Sequence, residues 1–154
     1  SALLAESLPE KLPAKMADLG AGWGYLAGPV LARKGVQSLD LIEAEALSLD
    51  CARLNVTDPR VKFHWADAMQ FQSKPGFDGV VMNPPFHTGR ASEPHLGRAF
   101  IAAAARVLAS HGKLWMVANR HLPYEQALRD SFRNVEEIAG NGAFKVFHAT
   151  RPNR

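Results

Sequence analysis

Apolar positions recur along this chain with two different periods. Residues 14–19, 37–42, 61–65, 77–82 and 113–118 are short apolar or alternating runs that predict strands. Between them apolar positions return every three or four residues, as on one face of a helix. Helices are predicted over 25–33, with Pro29 as a kink, and over 44–54, with Leu47, Cys51 and Leu54 as the buried face. Ser92 and Pro94 supply an N-cap and a first turn for a longer helix that buries Leu96, Phe100, Ala103 and Val107 and stops at His111-Gly112. Pro123 opens another, with Tyr124, Leu128 and Phe132 on one side. Residues 134–138 and 143–149 read as closing strands joined by Gly140-Asn141-Gly142, which is hairpin chemistry. A first helix over 2–8 stops before Pro9.

The resulting order alternates strand and helix and then ends on a hairpin. It predicts an α/β fold: a Rossmann-like, doubly wound, mostly parallel seven-stranded sheet with a C-terminal antiparallel hairpin. At 154 residues the chain is expected to form a single domain, residues 1–154. It opens at Ser1 without a methionine, already in a helix, and is expected to be the C-terminal part of a longer two-domain protein.

Composition narrows the classes without choosing among them. Hydrophobic residues at 47% and charged residues at 21% suit an ordinary globular domain. No apolar run approaches the roughly 20 residues of a membrane span. One cysteine, Cys51, excludes an internal disulfide, fits a reducing cytoplasm and is assigned to the core. A net charge of +3 permits a nucleic-acid partner without requiring one. No metal site is expected.

The chemistry concentrates at predicted strand ends, where α/β sheets bind ligands. The run 77–82 must end at Asn83, because Pro84 and Pro85 cannot continue a ladder. Asn83 Oδ1 and the Pro84 carbonyl can each accept a hydrogen bond from a planar exocyclic NH2, and Phe86 can stack on the ring that bears it. Residues 18–24 read Asp-Leu-Gly-Ala-Gly-Trp-Gly between a strand and a helix, so Gly20, Ala21 and Gly22 form a turn that lets a ligand pass close over the backbone. Glu43 closes the second strand about 20 residues on, where an acid that binds ribose hydroxyls falls. This half alone also suits a nicotinamide dehydrogenase. Asp18 tips the balance, since an acid there repels a pyrophosphate but accepts bonds from an ammonium. Asp67, after the third strand, is placed for an adenine amino group, with the Ala68 amide offered to the ring. Trp23 either shields the cofactor or packs beneath the glycine loop.

Asp18 to Gly24, Glu43, Ala66-Asp67-Ala68 and Asn83-Pro84-Pro85-Phe86 together resemble the motifs of class I S-adenosylmethionine-dependent methyltransferases that modify exocyclic amines. Asn83 to His87, residues 117–124 and residues 142–147 are similar, more narrowly, to the catalytic domain of RsmC-type 16S rRNA guanine-N2 methyltransferases of the "methyltransferase small domain" family. The resemblance implies S-adenosylmethionine as cofactor, guanine N2 of small-subunit rRNA as acceptor, and an N-terminal companion domain outside this chain. It also implies unstacked or single-stranded RNA as partner, no membrane, and a cytoplasmic location. Asn83, Pro84 and Phe86 are the expected catalytic group. His87, Arg90 and Arg120 are expected toward substrate, with Arg98 and His121 beside the phosphate path. Asp78 is expected to order the start of the fourth strand, and Tyr124 and Phe147 to pack. Three alternatives stand: adenine N6, a protein glutamine amide in the same Asn-Pro-Pro-Phe corner, or a non-catalytic RNA-binding domain that kept the fold.

Overall fold

A computed structural model describes residues 1–85, 87–88, 91–92 and 94–154, with backbone alone at 87–88, 91–92 and 94. The elements in chain order are α1 (Ala2–Ser7), β1 (Lys15–Leu19), α2 (Ala27–Leu31), β2 (Ser38–Glu43), α3 (Ala46–Asn55), β3 (Val61–Trp65), β4 (Phe77–Met82), β5 (His87–Thr88), β6 (Ala91–Ser92), α4 (Pro94–Val107), β7 (Leu108–Asn119), α5 (Glu125–Ser131), β8 (Phe132–Gly140) and β9 (Phe144–Pro152). Seven strands make one sheet in the order β3-β2-β1-β4-β7-β9-β8, while β5 and β6 pair with each other. The ladders from β3 to β7 are parallel, and β9 runs antiparallel to both β7 and β8. The doubly wound sheet with its terminal hairpin is therefore as expected.

Strand alternation divides the core in two. Leu19, Val80, Met82, Leu114, Met116 and Phe147 face one layer, with Phe100, Ile101 and Ala104 of α4 and Leu128 of α5. Met16, Leu39, Leu41, Val81, Trp115 and Val146 face the other, with residues of α1, α2 and α3. Central strands buried on both faces need continuous apolar runs, and β4 and β7 supply them. The six-residue α1 is too short to stand alone. Leu4 (0% exposed) and the adjoining Leu8 (6%) anchor it, each worth roughly 1.5–3 kcal/mol. The Arg33 guanidinium adds a bond to the Ala5 carbonyl at 2.7 Å.

Four local expectations need correction. The helix over 25–33 shrinks to α2, and Pro29 causes no break because it sits in the first turn, where an N–H has no helical partner to lose. On α3 the inward residues are Leu49 and Ala52, while Leu47 (74% exposed) and Leu54 (81%) face solvent and Cys51 is exposed rather than in the core. Ala52 and Val56 close on Gly24, so the face of Leu49 and Ala52, not that of Leu47 and Leu54, reaches the glycine loop. Helix α4 ends at Val107 rather than at His111-Gly112, because Leu108 already pairs with Phe77 and the Arg154 guanidinium takes the carbonyls of Ala105 and Leu108. Finally, Ser92 lies in β6, two residues before the helix, and not at its cap.

Tyr124 and Phe147 are buried at 1% and 2% exposure, in line with their assignment to packing. The Tyr124 ring abuts Gly97 of α4, where an added Cβ would overlap its hydroxyl. Gly97→Ala is expected to lower stability by about 1–3 kcal/mol through overpacking. A urea unfolding curve with an unchanged midpoint would rule out that contact.

Candidate active site

The carboxyl ends of the parallel strands form one row. Leu19 of β1 pairs with Ile42 of β2 and with Met82 of β4, and Glu43 pairs with Trp65. Gly20, Glu43, Ala66 and Asn83 therefore emerge side by side, about 4.8 Å apart per strand.

Asp18 sits in this row as the last but one residue of β1, 1% exposed, and neither carboxylate oxygen has a hydrogen-bond partner among the described residues. Burial raises its carboxyl well above the ordinary 3.8, and the nearby Glu43 charge pushes the same way. A buried carboxylate without donors is costly. It suits a site whose donor arrives with the ligand, such as an ammonium group.

The glycine loop is already closed on itself. Gly20 and Ala21 both donate to the Ile42 carbonyl, at 2.9 and 3.1 Å, and Gly24 donates to Ala21 at 3.1 Å. The Gly22 amide donates to Glu43 Oε1 at 2.8 Å. Glu43 Oε2 accepts the Glu45 amide, also at 2.8 Å, so the glutamate head is held from both sides. Two glycines are required here for different reasons. Gly20 has φ +72° and lies under the Phe100 ring, whereas Gly22, at φ +59°, has open space where a Cβ would be. A pyrophosphate cradle needs outward amides. The amides of Gly20, Ala21 and Gly22 are spent internally, which disfavours a dinucleotide and leaves a ligand without phosphate.

Asp67 follows β3, its Oδ1 accepting the Met69 amide at 2.9 Å, and the adjoining Ala68 is buried at 4% exposure. Trp65 Nε1 donates to the Ala44 carbonyl at 2.8 Å and ties the end of β3 to the segment after Glu43. Trp23 is 54% exposed, edge-on to Tyr25 at 5.5 Å. It does not pack beneath the loop, so of its two readings the shielding one remains.

Asn83 is half-buried, Pro84 buried and Pro85 exposed. Asn83 Nδ2 donates to Ser1 Oγ at 2.8 Å, which leaves Oδ1 as the acceptor of that amide. Sequence reasoning missed Ser1, because a contact between residues so far apart in the chain leaves no local signal. Phe86 and Arg90 lie outside the described residues, as does the His87 side chain. His121 and Arg98 are exposed, and the His121 amide donates to Asn119 Oδ1 at 2.9 Å. Arg120 is engaged in the β8–β9 hairpin, donating to the Asn141 carbonyl at 2.6 Å and approaching Glu137 at 3.5 Å. Asp78 lies at the opposite, amino edge of the sheet. It accepts the Lys15 amide at 3.2 Å and meets His111 Nε2 at 2.8 Å, the structural task expected of it.

The sequence profile described as "Methyltransferase small domain" matches residues 1–148. Relatives include a ribosomal RNA small subunit methyltransferase C of Shewanella piezotolerans, 32% identical over 146 residues covering 94% of this chain and 42% of that protein. A ribosomal RNA large subunit methyltransferase G of Aeromonas hydrophila is 32% identical over 154 residues, covering 96% and 40%. The chain thus spans less than half the length of these relatives. Among solved structures, the 16S rRNA N2 methyltransferase RsmC of T. thermophilus, in complex with AdoMet and guanosine, superposes with a TM-score of 0.77 at 28% identity, covering 97% of this chain and 42% of that one.

Proposed function

The chain belongs to the methyltransferase small domain family, and from that premise we propose that it transfers a methyl group from S-adenosylmethionine to an exocyclic base amine, guanine N2 of small-subunit rRNA. The observation that carries this reading is the juxtaposition of two strand ends: the buried Asp18 carboxylate, without a hydrogen-bond partner among the described residues, beside an asparagine amide whose nitrogen is already spent on Ser1. The bound AdoMet and guanosine of the T. thermophilus relative support cofactor and acceptor alike. The large-subunit relative makes the choice of ribosomal subunit the part most in need of direct test.

S-adenosylmethionine, when bound, supplies a methyl group on a sulfonium sulfur, an electrophile that needs no metal for activation. Asp18 would accept hydrogen bonds from its ammonium and Glu43 from its ribose hydroxyls, while Asp67 and the Ala68 amide would hold its adenine. A guanine amine is a weak nucleophile, because its lone pair is delocalised into the ring. Asn83 Oδ1 and the Pro84 carbonyl accept hydrogen bonds from its two N–H groups and draw the nitrogen toward tetrahedral geometry, which localises the lone pair for in-line attack. The N–C bond would form at the expense of the S–C bond, and the excess proton would leave to water. The contribution is positioning and electrostatics rather than strong base catalysis. Phe86, as the stacking platform, and His87, Arg90 and Arg120, as substrate contacts, complete the proposed site. The acceptor base must leave its stack to reach this edge, which favours single-stranded RNA. The same reading makes this chain the catalytic module of a longer two-domain protein, supported by the 42% share of the relatives it spans.

Ser1 enters this mechanism as a positioning residue. It is the N-cap residue of α1, yet its side chain makes no capping bond and reaches Asn83 instead. Glycine caps helices almost as well, at a cost of a few tenths of a kcal/mol. Ser1→Gly is therefore expected to leave stability and KM nearly unchanged, to lower kcat about ten-fold, and to shift the Asn83 side-chain NH2 resonances. Ser1→Thr is expected to restore both kcat and the resonances. A lower melting temperature with unchanged kcat would reduce Ser1 to a structural role.

The deciding experiment incubates the protein with labelled S-adenosylmethionine and protein-free 16S rRNA, then digests to nucleosides for mass spectrometry. N2-methylguanosine is the expected product. N6-methyladenosine, or label in a protein glutamine, would replace the acceptor, and the absence of cofactor binding by calorimetry would leave the non-catalytic reading.

A further inference from the structure

At the amino edge of the sheet, opposite the reaction site, lies a groove of about 820 Å³ lined by Lys113, Arg133, Arg151 and Arg154, together with His111. None of the residues lining it is acidic, and apart from Pro152 none is apolar. Its geometry carries a cost that the rest of the fold does not explain. Phe132 pairs with Pro152 and Asn134 with Thr150, which sets Arg133 directly across from Arg151. Like charges facing each other across strands destabilise a sheet. Arg151 also adopts φ 60°, a left-handed backbone conformation that a non-glycine residue enters at a cost. Lys113 pairs with Thr150 one strand over and adds a third exposed cation to the same concavity. Two of the groove's cationic or titratable groups are committed: Arg154 to the carbonyls of Ala105 and Leu108, and His111 to Asp78 behind the groove.

We propose that this groove binds the phosphodiester backbone of the RNA whose base is methylated at the far edge, an inference that rests on the rRNA reading above. Clustered cations around a concavity without carboxylates complement a run of phosphates, and a phosphate seated between Arg133 and Arg151 offsets their mutual repulsion. A protein partner would call for an apolar or aromatic centre. The groove offers none. From Lys113 to Asn119 along β7 the two edges stand roughly 20 Å apart at about 3.3 Å per residue. A stacked strand spans that in about six nucleotides at ~3.4 Å each, so the groove engages only RNA longer than the reacting segment.

The test uses Lys113→Gln/Arg133→Gln/Arg151→Asn, which keeps Arg154 and gives position 151 a residue tolerant of positive φ. Binding of a fluorescent single-stranded RNA of about 20 nucleotides is followed by anisotropy across salt concentrations. Removal of three phosphate contacts is expected to reduce the slope of log affinity against log salt by about 2 and to weaken binding at least ten-fold. Calorimetric affinity for S-adenosylmethionine and methyl transfer to a guanine trinucleotide stay at the wild-type level. Unchanged RNA affinity and slope overturn the proposal. So does equal affinity of the wild type for poly-glutamate, lost in the same variant, which points to an acidic protein instead. Loss of RNA binding in the variant, with no methylated RNA from either protein, leaves the groove standing and sinks the reaction.

Discussion

Asn83→Ala is expected to lower kcat about 100- to 1,000-fold, the usual cost of deleting one preorganised transition-state contact, while affinity for S-adenosylmethionine stays nearly intact. The reason is geometric. Asn83 leaves β4 beside Gly20, next to the proposed cofactor row but outside its hydrogen-bond network, since among the described residues its side chain bonds to Ser1. What the substitution removes is an acceptor that matters most as the amine becomes tetrahedral. The loss falls on the transition state and not on the ground state. Single-turnover transfer, measured beside a calorimetric titration, separates the two. A variant that turns over normally would remove the asparagine from the mechanism, and one that loses cofactor affinity in proportion would move it into the cofactor site.

Asp18→Asn is expected to act in two opposite directions. Without ligand the variant should be more stable than the wild type, by about 1–2 kcal/mol, the scale on which relieving a functional-site conflict acts. With ligand it should bind S-adenosylmethionine at least ten-fold more weakly, since an amide cannot pair with an ammonium as a carboxylate does. The pH dependence follows in sign. The folded-state pKa is raised, by burial and then by Glu43, above the ordinary 3.8. A group so shifted favours the fold while it is protonated. That contribution is present below about 3.8 and is lost as pH rises through the folded value. Wild-type ligand-free stability should therefore decline across that window, relative to the asparagine variant, while cofactor affinity climbs and binding releases a proton. Parallel stability curves for the two proteins across the window would show that Asp18 carries no such burden.

The sheet was legible because its central strands are buried on both faces, and only continuous apolar runs such as Val80-Val81-Met82 satisfy that demand. The strand-end residues were legible because glycines, prolines and acids at those places have few structural uses. Two things escaped. On α3, Leu47, Cys51 and Leu54 form as good a helical stripe as Leu49 and Ala52 do. The tie was broken by Gly24, whose missing side chain lets Ala52 and Val56 close on it. Periodicity cannot register a constraint imposed by a loop elsewhere in the chain. The bond between Ser1 and Asn83 was hidden for a similar reason: it exists because packing of Leu4 and Leu8 delivers the start of α1 to the far end of β4. The groove, too, emerges only from the β8–β9 register, which sets two arginines face to face.

The glycine loop, closed through Ile42 and Glu43, spends its conformational entropy when the protein folds, so little is left to lose when a ligand docks. The strand ends are fastened to one another, β1 to β2 through the Ile42 carbonyl and the Glu43 side chain, and β3 to the segment after β2 through Trp65. Asn83 is tied to Ser1 and stands outside those links, so drift around it can change the acceptor while the three linked strand ends hold their shape.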